Sequence, residues 1–425
     1  MNGWEIATLV LYGLLIAEQT GAVVIFAVGC YIGSRRRSED FFPKTLVILA
    51  LRGADSSLPD CLRALFQQHY PNYRVRVVLD SWEDPACAVV QQVLAETAAE
   101  HVDVQVLQEP LATCSLKCSA VHQATTDLSD GCEVVATIDS DIVPHPNWLR
   151  ELVAPLADSR VGAAMGNRWY APPRGQWGSW ICYAWNAAAV VSMYINKVPW
   201  GGSLATKASI LRSSDLRQRW TRAGCEDVPL FGVLRKLRLR LAFVPSLLMV
   251  DRDETDVPGC MRFITRQMLW ARLYHPACWW PSVVLYWSIA LLLVASVGLA
   301  LAAALQQRWV VAGLLLLGMA AYFATEAILV TSLEMLVRRL LAKRREPGCR
   351  LGWRTYAGVF IAHVLSPLMI WRALVLRRFT WRGIDYEVRG PWKIRMVQYR
   401  PYVATGVAEP GAAIVNDSSA ADSFR

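Results

Sequence analysis

The chain has 425 residues, 54% of them hydrophobic, and a formal net charge of +9 at pH 7. Its mean hydropathy of +0.27 is high for a soluble protein, and the apolar residues are concentrated in the first 34 positions and in the range 281–377, which excludes a uniformly soluble globular fold. Eleven cysteines without a C-x-x-C pair exclude a zinc or disulfide framework.

The first apolar segment, Ile6–Ile32, is long enough to cross a bilayer as a helix. No basic region precedes it and it is too long for a signal-peptide core, so we interpret residues 1–34 as a transmembrane helix, with a cleaved signal as the alternative. Arg35, Arg36 and Arg37 follow directly. Such clusters mark the cytoplasmic ends of membrane helices, so the positive charge requires no nucleic acid partner.

Residues 35–275 have ordinary globular composition and alternate between predicted strands and helices. Short connections between alternating elements indicate an α/β fold with a mostly parallel sheet and helices on both faces. The predicted strands are Thr45–Leu51, Tyr73–Leu79, Val102–Leu107 and Glu133–Ile138; the predicted helices are Leu58–Gln68, Cys87–Ala99, Ser119–Leu128, Asn147–Leu156 and Leu230–Leu237.

Acidic side chains follow two of these strands. Asp80 ends the second, and Asp139 and Asp141 end the fourth. Ligands of open parallel sheets bind at the carboxyl ends of strands, so we expect these acids to share one site. Asp139 and Asp141 can hold a Mg²⁺ or Mn²⁺ ion whose coordination is completed by nucleotide phosphates. A solvated loop is the alternative.

Two later segments carry further candidate side chains. Glu226 and Asp227 precede a predicted helix. A carboxylate there can act as a general base, or it can simply interact favourably with the positive end of the helix dipole. Arg266 can neutralise a diphosphate and Trp270 can stack near an acceptor, although an interfacial helix with snorkelling arginines also fits. Lys117 is a further candidate for diphosphate contact.

The C-terminal region, residues 276–378, contains three apolar segments. Ser282–Leu305 and Trp309–Leu333 predict two antiparallel transmembrane helices. Tyr356–Leu376 has basic residues on both sides, which fits a re-entrant or interfacial helix better than a crossing. Glu18 and Glu326 lie inside predicted spans, and we interpret them as helix–helix contacts rather than acceptor-handling groups.

A second basic cluster, at positions 338–345, follows the apolar segment Trp309–Leu333. If both basic clusters face the cytosol, residues 35–280 lie in the cytosol and the protein is integral to a plasma, inner or equivalent membrane. Residues 379–425 are then a cytosolic or surface tail, with disorder expected from about residue 405 because that stretch is rich in Ala, Ser, Gly and Asp.

The order of these segments resembles the family 2 inverting glycosyltransferases, and within them the ceramide glucosyltransferase-like branch. The resemblance covers residues 45–385, roughly, and implies a nucleotide-sugar-binding GT-A type fold, a UDP-sugar donor and a divalent metal. The matching segments are Leu49-Ala-Leu-Arg-Gly-Ala-Asp55, Val77-Val-Leu-Asp80, Lys117, Asp139-Ser-Asp141, Gly201-Gly-Ser203, Cys225-Glu-Asp227, Arg266…Trp270 and Thr380-Trp-Arg-Gly383.

The resemblance also implies roles for the candidate residues. Asp80 would hold the uracil or its ribose, Asp139 the nucleotide and Asp141 the metal. Asp227 would be the catalytic base and Arg266 would stabilise departing UDP. The residues that would line the binding cleft beside the acceptor are Gly201, Gly202 and Ser203.

This chain departs from the family pattern at one motif position. The family's Q/R-x-x-R-W motif has arginine directly before tryptophan, where this chain has Leu269. Arg262 and Arg272 are the nearby arginines that would have to take over the missing charge.

From these features we predict transfer of a single sugar, glucose by the resemblance, from a UDP-sugar to a lipid hydroxyl with inversion. The predicted partners are the bilayer, the nucleotide-sugar donor and the lipid acceptor; the sequence does not indicate an oligomeric state. A processive polysaccharide synthase and a catalytically inactive membrane scaffold are the alternatives. A transporter is disfavoured because few charged residues lie in the spans.

Overall fold

The computed structural model describes residues 1–35, 40–172, 175–344 and 346–402. The strands are β1 (Thr45–Leu51), β2 (Tyr73–Leu79), β3 (Val102–Val106), β4 (Val134–Ile138), β5 (Val161–Tyr170), β6 (Ser203–Lys207), β7 (Arg240–Asp251), β8 (Arg378–Trp381), β9 (Ile384–Val388) and β10 (Ile394–Gln398).

The helices differ widely in length. They are α1 (Gly3–Arg35), α2 (Leu58–Phe66), α3 (Pro85–Thr97), α4 (Leu116–Ala124), α5 (Trp148–Val153), α6 (Trp177–Asn196), α7 (Ala208–Ser213), α8 (Leu216–Trp220), α9 (Pro229–Lys236), α10 (Val257–Tyr274), α11 (Pro276–Leu305), α12 (Trp309–Leu341) and α13 (Trp353–Val375).

Strands β1 to β7 form a sheet with the order β3-β2-β1-β4-β6-β5-β7 across the described residues. Strand β6 runs antiparallel to both neighbours, whereas the other adjacent pairs are parallel. The predicted fold class, a mostly parallel sheet with helices on both faces and long apolar helices at both ends of the chain, is confirmed. Strands β1 to β4 lie within one residue of their predicted bounds.

Side chains alternate between the two faces of the sheet, as the pleat requires. In β1, Val47 and Leu49 pack on the face covered by α2, α3 and α5. Ile48 packs on the opposite face, against α4 and the C-terminal strands. Burying one aliphatic side chain of this size contributes roughly 1.5–3 kcal/mol. The alternation therefore determines which face of each strand packs against which layer of helices.

The strand directions bring several chain segments to one edge of the sheet. Parallel strands β1, β2 and β4 end there, and the parallel pair β5–β7 aligns Tyr170 with Asp251 at its carboxyl end. Because β6 is antiparallel, it begins at this edge, where Ser203 pairs with Ile138. The segment that precedes β6 therefore lies beside the acids that follow β4.

Four helices within the described residues, α1, α11, α12 and α13, are long and apolar enough to cross a membrane by length and composition. At one end of the bundle Glu5 of α1 forms an ion pair of 2.7 Å with Arg308, which joins α11 to α12. At the other end the buried Glu334 of α12 accepts hydrogen bonds from Trp169 and Tyr183 of the α/β domain. Glu334 thus anchors α12 to the domain at the end opposite the Glu5–Arg308 pair.

Glu326 is buried between helices, 3.9 Å from His363 of α13, as expected for a helix–helix contact. Glu18 is exposed on the surface of α1, so the interpretation as a helix–helix contact is wrong for this residue.

Helix α13 is continuous, and both of its ends lie beside the α/β domain. At its first residue Trp353 packs edge-on against Trp177 of α6. Near its last residue the carbonyl of Leu374 accepts a hydrogen bond from Arg272 of α10.

The predicted tail is folded over its first part. Residues 378–398 form the antiparallel sheet β8-β9-β10, which packs on the domain core. Our expectations for Arg36, Arg37 and Arg345, and for disorder from about residue 405, fall outside the described residues. The domain limits at 34, 275 and 378 stay predictions.

Candidate active site

A cavity of about 760 Å³ opens at the carboxyl edge of the sheet. Its lining includes the five acids that the sequence analysis singled out as site candidates: Asp80, Asp139, Asp141, Glu226 and Asp227. From these acids the cavity continues between α6 and α10 to Ser282, Leu285 and Tyr286 of α11. A single space therefore joins the sheet edge to a helix of the predicted membrane region.

Lys117 connects two of the acidic segments. Its ammonium lies 2.6 Å from Asp139 and 2.6 Å from Glu226. The residue is placed by α4, whose first turn is capped by the Ser115 hydroxyl. Burial acts to raise the pKa of Asp139, but the positive charges of Lys117 and Arg168 outweigh burial and lower it. Burial raises the pKa of Glu226 to about 7, although Lys117 opposes the shift.

The proposed metal-binding acids fit a hard cation only in part. Oxygen Oδ1 of Asp141 is buried without a hydrogen-bond partner, which suits a metal ligand. The other oxygen, Oδ2, is 3.0 Å from the guanidinium of Arg168, which is also 3.5 Å from Asp139. The described residues contain no group of three or more His, Cys, Asp or Glu side chains able to hold a metal. A divalent ion here would therefore need ligands from the donor.

Asp227 is held by backbone amides rather than by a cation. One carboxylate oxygen accepts from Gly201 N at 2.8 Å, and the other accepts from Val228 N at 2.7 Å. A Cβ atom at Gly201 would lie 2.1 Å from the carboxylate of Glu226, so only glycine fits between these acids and the start of β6. Asp227 is thus oriented towards the cavity and keeps its lone pairs available there.

Of the glycine-rich segment before β6, Gly202 lines the cavity next to Asp139. The hydroxyl of Ser203 accepts a hydrogen bond from the buried indole of Trp148 at 2.8 Å. Ser203 therefore fixes α5 to the sheet and does not face the cavity.

The helix before the membrane region, α10, contributes Arg262, Arg266 and Trp270 to the cavity lining. The guanidinium of Arg266 packs over the ring of Trp381, and burial lowers its pKa to about 10. A desolvated guanidinium without bulk water around it binds phosphate strongly.

Leu269, at the motif position that departs from the family pattern, is fully buried in the domain core. Arg272 is engaged by the carbonyl of Leu374. Of the two arginines expected to replace the missing charge, only Arg262 reaches the cavity.

The carboxylate of Asp80 is already fully engaged. It pairs with Arg52 and accepts from Tyr399 Oη at 3.0 Å and from Tyr402 N at 2.7 Å. The C-terminal segment Tyr399–Tyr402 therefore lies against the position predicted to contact uracil.

The sequence analysis missed two charged residues of the site, Arg168 within β5 and Asp251 at the end of β7. They lie 3.3 Å apart on neighbouring strands. Arg168 is the one charged residue in the otherwise buried strand Val161–Tyr170. A charge within a buried strand requires a partner, so its position in the sequence was an available signal.

Comparisons of the sequence with known proteins indicate a glycosyltransferase. The model of the family described as glycosyl transferase family 21 matches residues 10–394. Glycosyltransferase AglE from Haloferax volcanii is 25% identical over 135 residues, which cover 31% of this chain and 42% of that protein. The chain thus spans less than half the length of this curated relative.

Three solved structures illustrate the similarity of this chain to known folds. The mannosyltransferase PcManGT from Pyrobaculum calidifontis, in complex with GDP-Man and Mn²⁺, is 17% identical with a TM-score of 0.45, covering 85% of this chain and 99% of that one. S. aureus TarS 1–349 is 15% identical with a TM-score of 0.37, covering 82% and 98%. Glucosyl-3-phosphoglycerate synthase from Mycobacterium tuberculosis, with Mn²⁺, UDP-glucose and glycerol 3-phosphate, is 14% identical with a TM-score of 0.34, covering 54% and 80%.

Proposed function

The chain belongs to glycosyl transferase family 21, and from this premise we propose that it transfers one sugar from a UDP-sugar to the hydroxyl group of a membrane lipid. The donor we propose is UDP-glucose, and the branch we propose is the ceramide glucosyltransferase-like one. The proposal depends above all on one observation: the cavity that holds the acids continues to α11.

The membrane side of the cavity favours a neutral lipid acceptor. The residues that α6 and α11 contribute there are apolar or carry neutral polar groups, and include Met193, Leu285, Ser192, Ser282 and Tyr286. A phosphorylated lipid would need a cation in this part of the cavity, and α6 and α11 supply none to it. A hydroxyl head group with apolar chains matches this lining.

The proposed chemistry is one in-line displacement. Asp227, oriented by the amides of Gly201 and Val228, accepts the proton of the acceptor hydroxyl. The acceptor oxygen bonds to the anomeric carbon while the bond from that carbon to the diphosphate oxygen breaks, which inverts the centre. UDP departs with the electron pair of the broken bond.

Positive charge for the departing diphosphate would come from Lys117 and Arg266, which both line the cavity. Asp139 and Asp141 would hold a divalent cation, which when bound would neutralise further charge on the diphosphate. Trp270, which packs edge-on against Phe379, would close the cavity on the acceptor side.

The test is transfer by the purified full-length protein in lipid nanodiscs containing ceramide. We expect UDP release from UDP-glucose with Mn²⁺, and one glucose on an organic-extractable lipid. Asp227→Asn should lower the rate by about a hundredfold or more, because the base is lost while the fold is kept. The matched control is Asp215→Asn, which changes an exposed acid outside the cavity and should leave the rate unchanged.

Three outcomes would contradict the proposal in different ways. A long water-soluble polymer would indicate a processive synthase. Equal UDP release by wild type and Asp227→Asn would indicate that transfer does not use this site. Absence of release with ceramide and with diacylglycerol would support an inactive scaffold.

A further inference from the structure

Arg168 lies where its charge competes with the proposed metal. Its Nη2 atom is 3.0 Å from Asp141 and 3.5 Å from Asp139, the same two carboxylates that would hold the ion. Its Nη1 atom is 3.3 Å from Asp251 on the neighbouring strand. The side chain is only 13% exposed, and it still lines the cavity.

Arg168 is surrounded by aromatic rings and donates one hydrogen bond to the Tyr170 hydroxyl at 3.1 Å, but part of its donor capacity is unused. The rings of Tyr170, Trp200 and Phe263 lie 5.6 to 6.0 Å from its guanidinium carbon. Its Nε atom is buried without a hydrogen-bond partner, and so is Oδ1 of Asp141. The ion pair is thus unsaturated on both sides, and each partner can take a further ligand from the cavity.

We propose that Arg168 is a positioning residue that acts as the resident counter-cation of the Asp139–Asp141 pair. While no donor is bound, its guanidinium offsets one of the two negative charges of the pair and makes binding of a divalent cation alone unfavourable. When a cation arrives together with a nucleoside diphosphate, Arg168 turns from the carboxylates to the diphosphate and remains tethered by Asp251. Metal and donor then bind as one unit.

The physical reason is charge balance in a buried site. Asp139 and Asp141 carry a charge of about −1 together with Arg168 and about −2 without it. The charges of Lys117 beside Asp139 and of Asp251 beside Arg168 are the same in both cases. A divalent cation placed beside Arg168 is repelled by it unless an anion separates the two charges. The diphosphate of the donor supplies that anion.

This inference rests on the proposed function only in assigning Asp139 and Asp141 to the metal. The measurement is therefore a titration of the full-length protein in detergent with Mn²⁺, with and without UDP. The electron paramagnetic resonance signal of free Mn²⁺ reports how much Mn²⁺ is bound. Wild type should bind Mn²⁺ weakly alone and about tenfold or more tightly with UDP. Sugar transfer does not enter this readout.

Arg168→Met removes the charge and keeps most of the side-chain volume. We expect it to bind Mn²⁺ alone about tenfold more tightly than wild type, with little further gain from UDP, because the acids are freed and the coupling is lost. Arg168→Lys keeps a charge but not the bridging fork, and it should give an intermediate affinity. This second variant keeps the test valid if Arg168→Met fails to fold.

The matched control is Arg262→Met, which removes an equal charge from the same cavity. Among the described residues Arg262 forms no ion pair with an acid, so the affinity for Mn²⁺ alone should not change. The inference is overturned if Arg168→Met binds Mn²⁺ no more tightly than wild type, or if Arg262→Met produces the same gain. It is also overturned if UDP does not tighten Mn²⁺ binding by wild type. Loss of UDP release by Asp227→Asn would still support sugar transfer in any of these cases.

Discussion

Glu226 is buried 2.6 Å from the ammonium of Lys117, next to Asp227 in the chain. Burial raises its pKa to about 7, Lys117 opposes the shift, and the negative charges of Asp227 and Asp139 add to it. Glu226 therefore changes charge within the range in which the enzyme would work. Below that pKa the ammonium of Lys117 has one ionised partner, Asp139. Above it, Lys117 has two ionised partners, Asp139 and Glu226.

This pair predicts a pH dependence of donor binding. As pH rises from 6 to 8 we expect the KM for the UDP-sugar to rise by about tenfold, because Glu226 becomes anionic where the diphosphate must bind. Glu226→Gln should have a flat KM over this range. Glu96→Gln, an exposed acid on α3, is the control that should keep the wild-type profile. The same slope in Glu226→Gln as in wild type would contradict the prediction.

The same titration affects stability with a defined sign. The pKa of Glu226 is raised by folding, so between its unfolded value of about 4.5 and about 7 the folded protein retains a proton that the unfolded chain has lost. Its contribution to the free energy of unfolding is complete below that range and falls as pH rises through it.

The sequence reveals a site residue most readily when that residue lies directly after a strand. Asp80, Asp139 and Asp141 directly follow apolar strands, so the sheet topology alone predicts that they meet. Arg168 belongs to a strand interior, and its partners come from two other strands, Asp139 and Asp141 after β4 and Asp251 on β7. Motif spacing could not show that Leu269 points into the core, because that depends on how α10 packs on the domain.

At the scale of elements, the C-terminal strands carried a pattern that the sequence analysis did not use. Ile384, Tyr386 and Val388 are buried, and the acids between them, Asp385 and Glu387, point outwards. The two-residue turn Arg382-Gly383 between β8 and β9 has positive φ at both residues, the geometry of a tight hairpin. The turn directs the guanidinium of Arg382 to Asp55, at 2.6 and 2.8 Å.

The segment after β10 provides a test of the role predicted for Asp80. A uracil or ribose that contacts this carboxylate must displace Tyr399 or Tyr402, because both donate to it in the structure. We therefore expect UDP to increase hydrogen exchange at the Tyr402 amide. The Met396 amide, bonded to the Ala112 carbonyl at 2.8 Å, should keep its protection and serves as the internal control. Unchanged or slower exchange at Tyr402 would place the base elsewhere in the cavity.

For the molecule as a whole, the contacts at the ends of α13 restrict the membrane topology. The chain after α13 returns to the α/β domain, where Arg382 binds Asp55 and Tyr402 binds Asp80. If α13 crossed the bilayer, these pairs would lie on opposite sides of the membrane. We therefore infer that α13 lies at the interface, as its basic flanks suggested, with Phe360, Val364 and Leu368 exposed to lipid.

By the same inference, α1, α11 and α12 would form the crossing bundle. The Glu5–Arg308 pair closes its far end, and Trp4 and Trp309 are exposed there, as aromatic residues at a membrane surface commonly are. Helix α11 has 30 residues, about 45 Å at 1.5 Å per residue, which exceeds a hydrocarbon core of about 30 Å. The excess length allows its first turns to line the cavity before the helix enters the membrane.

This topology predicts the labelling of single cysteines by a membrane-impermeant maleimide. The eleven native cysteines are buried, so an introduced exposed cysteine provides the signal. Asp130→Cys on the α/β domain and Lys393→Cys between β9 and β10 should react only after cells are permeabilised, because the basic clusters predict that both lie in the cytosol. Gln307→Cys, between α11 and α12, should react in intact cells.

Reaction of Lys393→Cys in intact cells, with Asp130→Cys still protected, would mean that α13 crosses and that the C-terminal sheet cannot cover the site. Protection of Gln307→Cys together with reaction of Asp130→Cys in intact cells would mean that the protein has the opposite orientation. Its cavity would then lie on the side of the membrane away from cytosolic nucleotide sugars.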